Sequence, residues 1–110
     1  MHGDFGPQNI LLDHDLRKVV ALLDWERIYL GDPVEDLAWA EWIVRRHLPE
    51  AVRHLDALFA GYGDTPPWHG RKRAVLAACR QHLEGASQLD ERGVAPMWRE
   101  RLHWTEGLLG

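Results

Sequence analysis

Cysteine is nearly absent from this chain of 110 residues. Cys79 stands alone, so no internal disulfide can form, and a reducing compartment is expected. Positive charge is also short. Thirteen Lys and Arg against seventeen Asp and Glu leave a formal net charge of −4. No basic stripe exists to neutralise a row of phosphates, which argues against nucleic acid as a partner. No apolar run approaches the ~20 residues that a membrane span needs, and the polar N-terminus does not read as a signal peptide. A cytoplasmic protein with no membrane partner is therefore the expectation. Repeats, low-complexity tracts and interdomain linkers are missing too. What is present is an apolar content of 45% and six Trp. That is the composition of a folded chain, long enough for one domain over residues 1–110.

The densest chemistry lies at the start, in His2-Gly3-Asp4-Phe5-Gly6-Pro7-Gln8-Asn9 and in Leu22-Leu23-Asp24-Trp25-Glu26. Between them, Ile10-Leu11-Leu12-Asp13 and Val19-Val20-Ala21-Leu22-Leu23 flank the polar segment His14-Asp15-Leu16-Arg17-Lys18. Two short apolar runs around a charged turn predict an antiparallel hairpin. Asn9 then lies just before the first strand and Asp24 just after the second, both at the open end. Paired strands run about 5 Å apart, so residues 9 and 24 become neighbours. Asp4 precedes Asn9 by five residues, in a Gly- and Pro-containing loop able to curl back over them. Oxygen donors of this kind suit a hard cation such as Mg²⁺, which usually takes one or two carboxylates together with substrate phosphates. Taken singly, each residue has a plainer reading: Asp4 as a cap, Asn9 on loop amides, Asp24 as a strand terminator.

His2-Gly3-Asp4 with Asn9, then Asp24-Trp25-Glu26, then Gly31-Asp32-Pro33-Val34-Glu35-Asp36-Leu37-Ala38, resembles the C-terminal lobe of the aminoglycoside phosphotransferase and choline kinase-like family. These are small-molecule kinases with a protein-kinase-like fold. The resemblance covers roughly the first forty residues. It implies that Asp4 is the catalytic base, that Asn9 and Asp24 are Mg²⁺ ligands, and that His2 shapes the loop. It implies ATP as co-substrate and a small hydroxyl compound as acceptor, and the mildly acidic surface would tolerate a cationic one. Glu26 continues the metal-ligand segment and could support it from behind, whereas Trp25 reads as packing.

The fold class expected is α+β, mostly α: a hairpin bearing the catalytic loop over residues 1–31, then about four packed helices over 32–110. Asp32-Pro33-Val34-Glu35 has the form of a helix start, with a capping carboxylate, Pro at the first position and Glu three residues on. That helix runs to about Leu48 before Pro49. It is apolar almost all round, which predicts burial on several sides. Asp36 in its first turn has two readings. It either accepts hydrogen bonds from the loop backbone near His2 or Asp4, or favours the positive end of the helix dipole. A second helix is expected over 49–63, with Ala51, Leu55, Leu58, Phe59 and Tyr62 inward. Residues 64–70 read as a loop, with Trp68 as a lid over the core rather than lining a pocket together with His69. A third helix is expected from Arg71 to about Leu89, with Val75, Cys79, His82, Leu83, Ala86 and Leu89 inward and Arg71-Lys72-Arg73 solvated. After a break at residues 90–93 a fourth runs from about Pro96 to Glu106, with Met97, Trp98, Leu102 and Thr105 inward. Asp64, Glu84, Asp90, Glu91 and Glu106 are acidic candidates for an amine substrate, but each reads better as solvated surface.

A complete kinase of this kind also needs a loop over the phosphates and a lysine paired with them. No Gly-x-Gly-x-x-Gly occurs, and of the two lysines Lys18 lies in the hairpin turn and Lys72 at a helix start. The nucleotide-binding N-terminal lobe is therefore expected to be missing. The chain alone should be inactive unless a separate chain supplies that lobe, and the surface left open could drive self-association. Two rival readings are a non-catalytic, truncated helical binding module and a metal-dependent hydrolase using His2, Asp4 and Asp24. The second is weakened because no further histidine lies at ligand spacing.

Overall fold

The computed structural model describes residues 1–89 and 93–109. Its elements are a 3₁₀ turn Pro7–Asn9, β1 (Ile10–Leu12), β2 (Val19–Leu22), α1 (Pro33–His47), a 3₁₀ helix Pro49–His54, α2 (Leu55–Tyr62), α3 (Trp68–Leu89) and α4 (Val94–Glu106). Among the described residues this is the expected mostly helical α+β chain, with one hairpin and four α-helices. The contacts divide it between Pro66 and Pro67 into two compact units, whereas the sequence suggested a subdivision at residues 31 and 32. Each unit is described by itself.

In the first unit, β1 and β2 pair antiparallel, Ile10 opposite Leu22 and Leu11 opposite Ala21, with an irregularity after Leu11 that sets Leu12 against Val19. Asp13 organises the turn. Its N–H donates to the Lys18 carbonyl at 2.9 Å, while its carboxylate accepts from the Arg17 N–H at 3.0 Å. Both faces of the ribbon stay open: Leu11, Leu12, Val19, Val20 and Leu22 are all exposed. A two-stranded ribbon buries little by itself, so its register depends on what holds its ends.

The core of this unit is built on α1. Asp32 caps it, its carboxylate accepting from the Val34 N–H at 3.0 Å, and Pro33 takes the first position, where a missing N–H costs nothing. Glu35, placed for a capping box, accepts the Tyr29 hydroxyl. Leu37, Ala38, Trp39, Ala40, Trp42 and Val44 are buried. Leu37 and Val44 pack with Leu55 and Phe59, and Ala51, Val52 and Leu58 complete the cluster. Glu41 is buried among these apolar neighbours because Arg45, one turn on, meets its carboxylate with Nε and Nη2, each at 3.0 Å. Residues 49–63 are two pieces rather than one helix. The 3₁₀ stretch comes first, and α2 ends at Gly63, whose positive φ of 97° lets its N–H reach the Phe59 carbonyl. Tyr62, expected inward, is exposed.

In the second unit, α3 begins at Trp68 rather than Arg71. Pro67 is pre-set for a helix entry, and its carbonyl accepts from Gly70 and Arg71. Val75, Cys79 and Ala86 of α3 and Trp98 and Thr105 of α4 are buried. His82 stacks on Trp98 with ring centres 4.2 Å apart, and Arg101 lies over the same indole at 4.9 Å. Three expectations fail here. Leu89 and Met97 are exposed. Arg71 is buried, its guanidinium 5.1 Å from the Trp68 ring. Lys72, half-buried, is also engaged at its tip: its ammonium donates at 2.8 Å to the carbonyls of Glu106 and Leu108, holding the end of α4. Asp90, Glu91 and most of the break at 90–93 lie outside the described residues. No helix among the described residues is long and apolar enough to cross a membrane.

Two outcomes follow. Trp42→Ala, which empties a site only 2% exposed, should lower stability by about 3–5 kcal/mol in a urea titration. Cys79 is fully covered and burial pushes its thiol pKa up, so a thiol-specific reagent should react with it only at the rate at which its unit opens. Immediate reaction in the native protein would contradict that packing.

Candidate active site

The loop of residues 2–9 is held from three sides. The first hold is by α1. Asp36 accepts the His2 N–H on Oδ2 at 2.7 Å and the Gly3 N–H on Oδ1 at 3.0 Å. A carboxylate in a helix's first turn is favoured by the dipole, and here the same charge closes two loop amides. Asp36 thus accepts from the loop backbone at His2 and Gly3, and does so from the first turn of α1.

The second hold is by residues 27–29. The Tyr29 N–H donates to the Met1 carbonyl at 3.1 Å. Gly3 lies so close to this segment that a Cβ on it would sit 2.3 Å from the Arg27 carbonyl oxygen, and its φ is +87°. Only glycine meets both conditions. Nothing in the hairpin pattern announced this clamp, although a Gly between His2 and Asp4 is the kind of residue that marks a close approach.

The third hold is by His2 itself, which is buried. Its Nδ1 accepts the Asp4 N–H at 3.1 Å, which leaves the ring proton on Nε2, and that atom donates to the Leu23 carbonyl at 2.8 Å. Trp25 covers the ring at 4.5 Å, its own indole N–H donating to the Leu22 carbonyl at 2.8 Å. His2 thus ties the loop to Leu23, the residue just after β2.

Asp4 and Asn9 meet directly. The Asn9 amide nitrogen donates to the Asp4 carbonyl at 2.8 Å and lies 3.3 Å from Asp4 Oδ2. With the nitrogen turned to Asp4, the Oδ1 of Asn9 is the atom left to act as a ligand. Asp24 is brought in through the backbone. The Leu23 N–H donates to the Asn9 carbonyl at 2.7 Å, so the residue after Leu23 emerges beside Asn9. Asp24 itself is exposed and has a φ of 64°. This left-handed turn costs a non-glycine residue about 1–2 kcal/mol, and such strain clusters at functional positions. An amide oxygen and a carboxylate at the mouth of one hairpin are donors suited to a hard divalent cation. Glu26 lies exposed in the following turn, which the Ile28 N–H closes on the Trp25 carbonyl at 3.1 Å. Among the described residues no cluster of three or more His, Cys, Asp or Glu side chains is set to hold a metal, so the grouping that a hydrolase of His2, Asp4 and Asp24 would need does not form.

One contact was missed from sequence. Trp39 Nε1 donates to Asp4 Oδ1 at 3.0 Å. In an apolar helix the residue reads as packing, but it lies three positions after Asp36, on the face already turned to the loop.

The sequence profile of the phosphotransferase enzyme family matches residues 1–79. A stretch of 40 residues is 42% identical to acyl-CoA dehydrogenase family member 10 of Mus musculus, covering 36% of this chain. The chain spans 4% of that protein's length. No solved structure matches the chain.

Asp36→Ala should leave the His2 and Gly3 amides without their charged acceptor, costing about 2–3 kcal/mol in thermal or urea unfolding. Nitrogen NMR of the His2 ring should also lose its fixed Nε2-protonated signature. An unchanged melting curve would show that α1 does not anchor the loop.

Proposed function

The chain belongs to the phosphotransferase enzyme family, and from that premise we propose that its first unit is the catalytic part of a small-molecule kinase, moving the γ-phosphate of ATP to a hydroxyl. The arrangement that supports this above all is the pairing of Asp4 with Asn9 while the Asn9 carbonyl holds the residue before Asp24. Asp4 orients the acceptor hydroxyl and takes its proton as the oxygen attacks phosphorus and the bond to the leaving ADP oxygen breaks. Asn9 and Asp24 would hold Mg²⁺, which supplies positive charge against the β- and γ-phosphate oxygens. His2 and Asp36 keep Asp4 in place through the backbone. A half-buried base held by fixed donors needs little rearrangement at the moment of transfer, which is where such catalysis gains most.

The proposal includes a partner. Lys72 is committed to the end of α4, and Lys18 lies at the far end of the ribbon, its N–H on Asp13. Neither serves the phosphates, so a nucleotide-binding lobe carried on other residues is required, and the open apolar ribbon is the surface it would cover. The acceptor is a small hydroxyl compound, with the acidic surface compatible with a cationic one. A cytoplasmic setting agrees with the single, unpaired Cys79. The same lysine placement also favours a second reading, a helical binding module without catalysis, which expects no change in thermal stability on adding Mg²⁺ and nucleotide.

Asp4→Asn should cut turnover by about 10²–10⁴-fold, the usual share of a general base, in a preparation supplied with the nucleotide lobe, and leave Mg²⁺-nucleotide binding nearly intact. Equal turnover would remove Asp4 from the role of base. The purified 110-residue chain alone should show no phosphotransfer, and robust activity from it would refute the need for a second lobe.

A further inference from the structure

Trp39 does more than fill the core. It is buried, and its ring stacks on Trp42 with centres 4.8 Å apart and planes 19° from parallel. Trp42, 2% exposed, fixes that stack from beneath. An indole pinned in this way has one direction for its N–H, and that direction ends 3.0 Å from Asp4 Oδ1. A carboxylate otherwise turns about its last side-chain bond with little resistance. Among the described residues its other oxygen, Oδ2, meets the Asn9 amide at 3.3 Å, a weak hold beside a bond of ordinary length.

We propose that Trp39 is a positioning residue for Asp4: its indole N–H occupies Oδ1 and so presents Oδ2 as the oxygen that receives the acceptor's proton. This rests on the reading of Asp4 as the base. In the transfer, the acceptor O–H bond breaks, the proton bonds to Oδ2, the acceptor oxygen joins the γ-phosphorus, and the bond from that phosphorus to the ADP oxygen breaks. Trp39 gives up no proton and changes no bond. Its role is to decide which of the two oxygens keeps only the weaker hold, and it ties that choice to the stack of α1 rather than to the loop. A Phe at this position would keep the stack and lose the selection.

The test is the indole N–H signal of Trp39 in proton–nitrogen NMR of the whole chain. W39F identifies it among the six tryptophans, and through-bond assignment of the unmutated protein does so if that variant fails to fold. At one fixed pH, D4N and D4A should each move that signal from its position in the unmutated chain, D4A the further of the two, because the charged acceptor 3.0 Å from the indole N–H is gone. A signal that keeps its position in both variants overturns the proposal, since a tryptophan that merely packs would not register the loss of that carboxylate. Mg²⁺ with a non-hydrolysable ATP analogue, added with the nucleotide lobe, separates the proposal from its premise. If the signal moves in both variants while the Asn9 and Asp24 signals ignore the nucleotide, the contact stands and the kinase reading of the loop fails.

Discussion

One carboxylate joins the two halves of the first unit. Asp36 sits in the first turn of α1 and takes the N–H groups of His2 and Gly3, one on each oxygen. Everything at the candidate site follows from that junction. With residues 2 and 3 fixed over the helix start, the His2 ring can bridge from the Asp4 amide to the Leu23 carbonyl. Asp4 then falls within reach of Trp39, three residues further along the same helix face. The helix is in turn held by its apolar contacts with α2 and the 3₁₀ stretch before it. Packing energy spent far from the loop thus ends as orientation within it.

The parts legible in the sequence are those set by neighbours along the chain. The hairpin follows from two apolar runs around a charged turn, and the α1 start from Asp32-Pro33. The parts that escaped depend on partners far away. Trp39 reaches a carboxylate thirty-five positions earlier, and no periodicity separates such an indole from one that only packs. Arg71 and Lys72 read as solvated because they are charged, yet one lies on an indole and the other caps a helix more than thirty residues on. Trp68 to Gly70 read as loop because two prolines precede them and a glycine ends them, but proline at a helix entry is favourable.

The two proposed ligands differ in character. Asn9 is buried and tied through its amide nitrogen to Asp4, whereas Asp24 is exposed on a left-handed turn. One is preorganised by the loop, and the other stands at the solvent side of it. Such a pair combines a fixed reference with an approach path, an arrangement suited to a metal that arrives already bound to a nucleotide. The ribbon beside them keeps Leu11, Leu12, Val19, Val20 and Leu22 exposed.

Gly3 has a consequence for how this chain can vary. The Arg27 carbonyl stands where any side chain at position 3 would begin, so the space between His2 and Asp4 has no room for drift. Changes elsewhere in the loop trade one contact for another, but a methyl group here would pry residues 27–29 from the N-terminus and with them the path of the chain into α1. A hidden steric gate on a residue with no chemistry of its own thus limits which neighbouring sequences this site can explore.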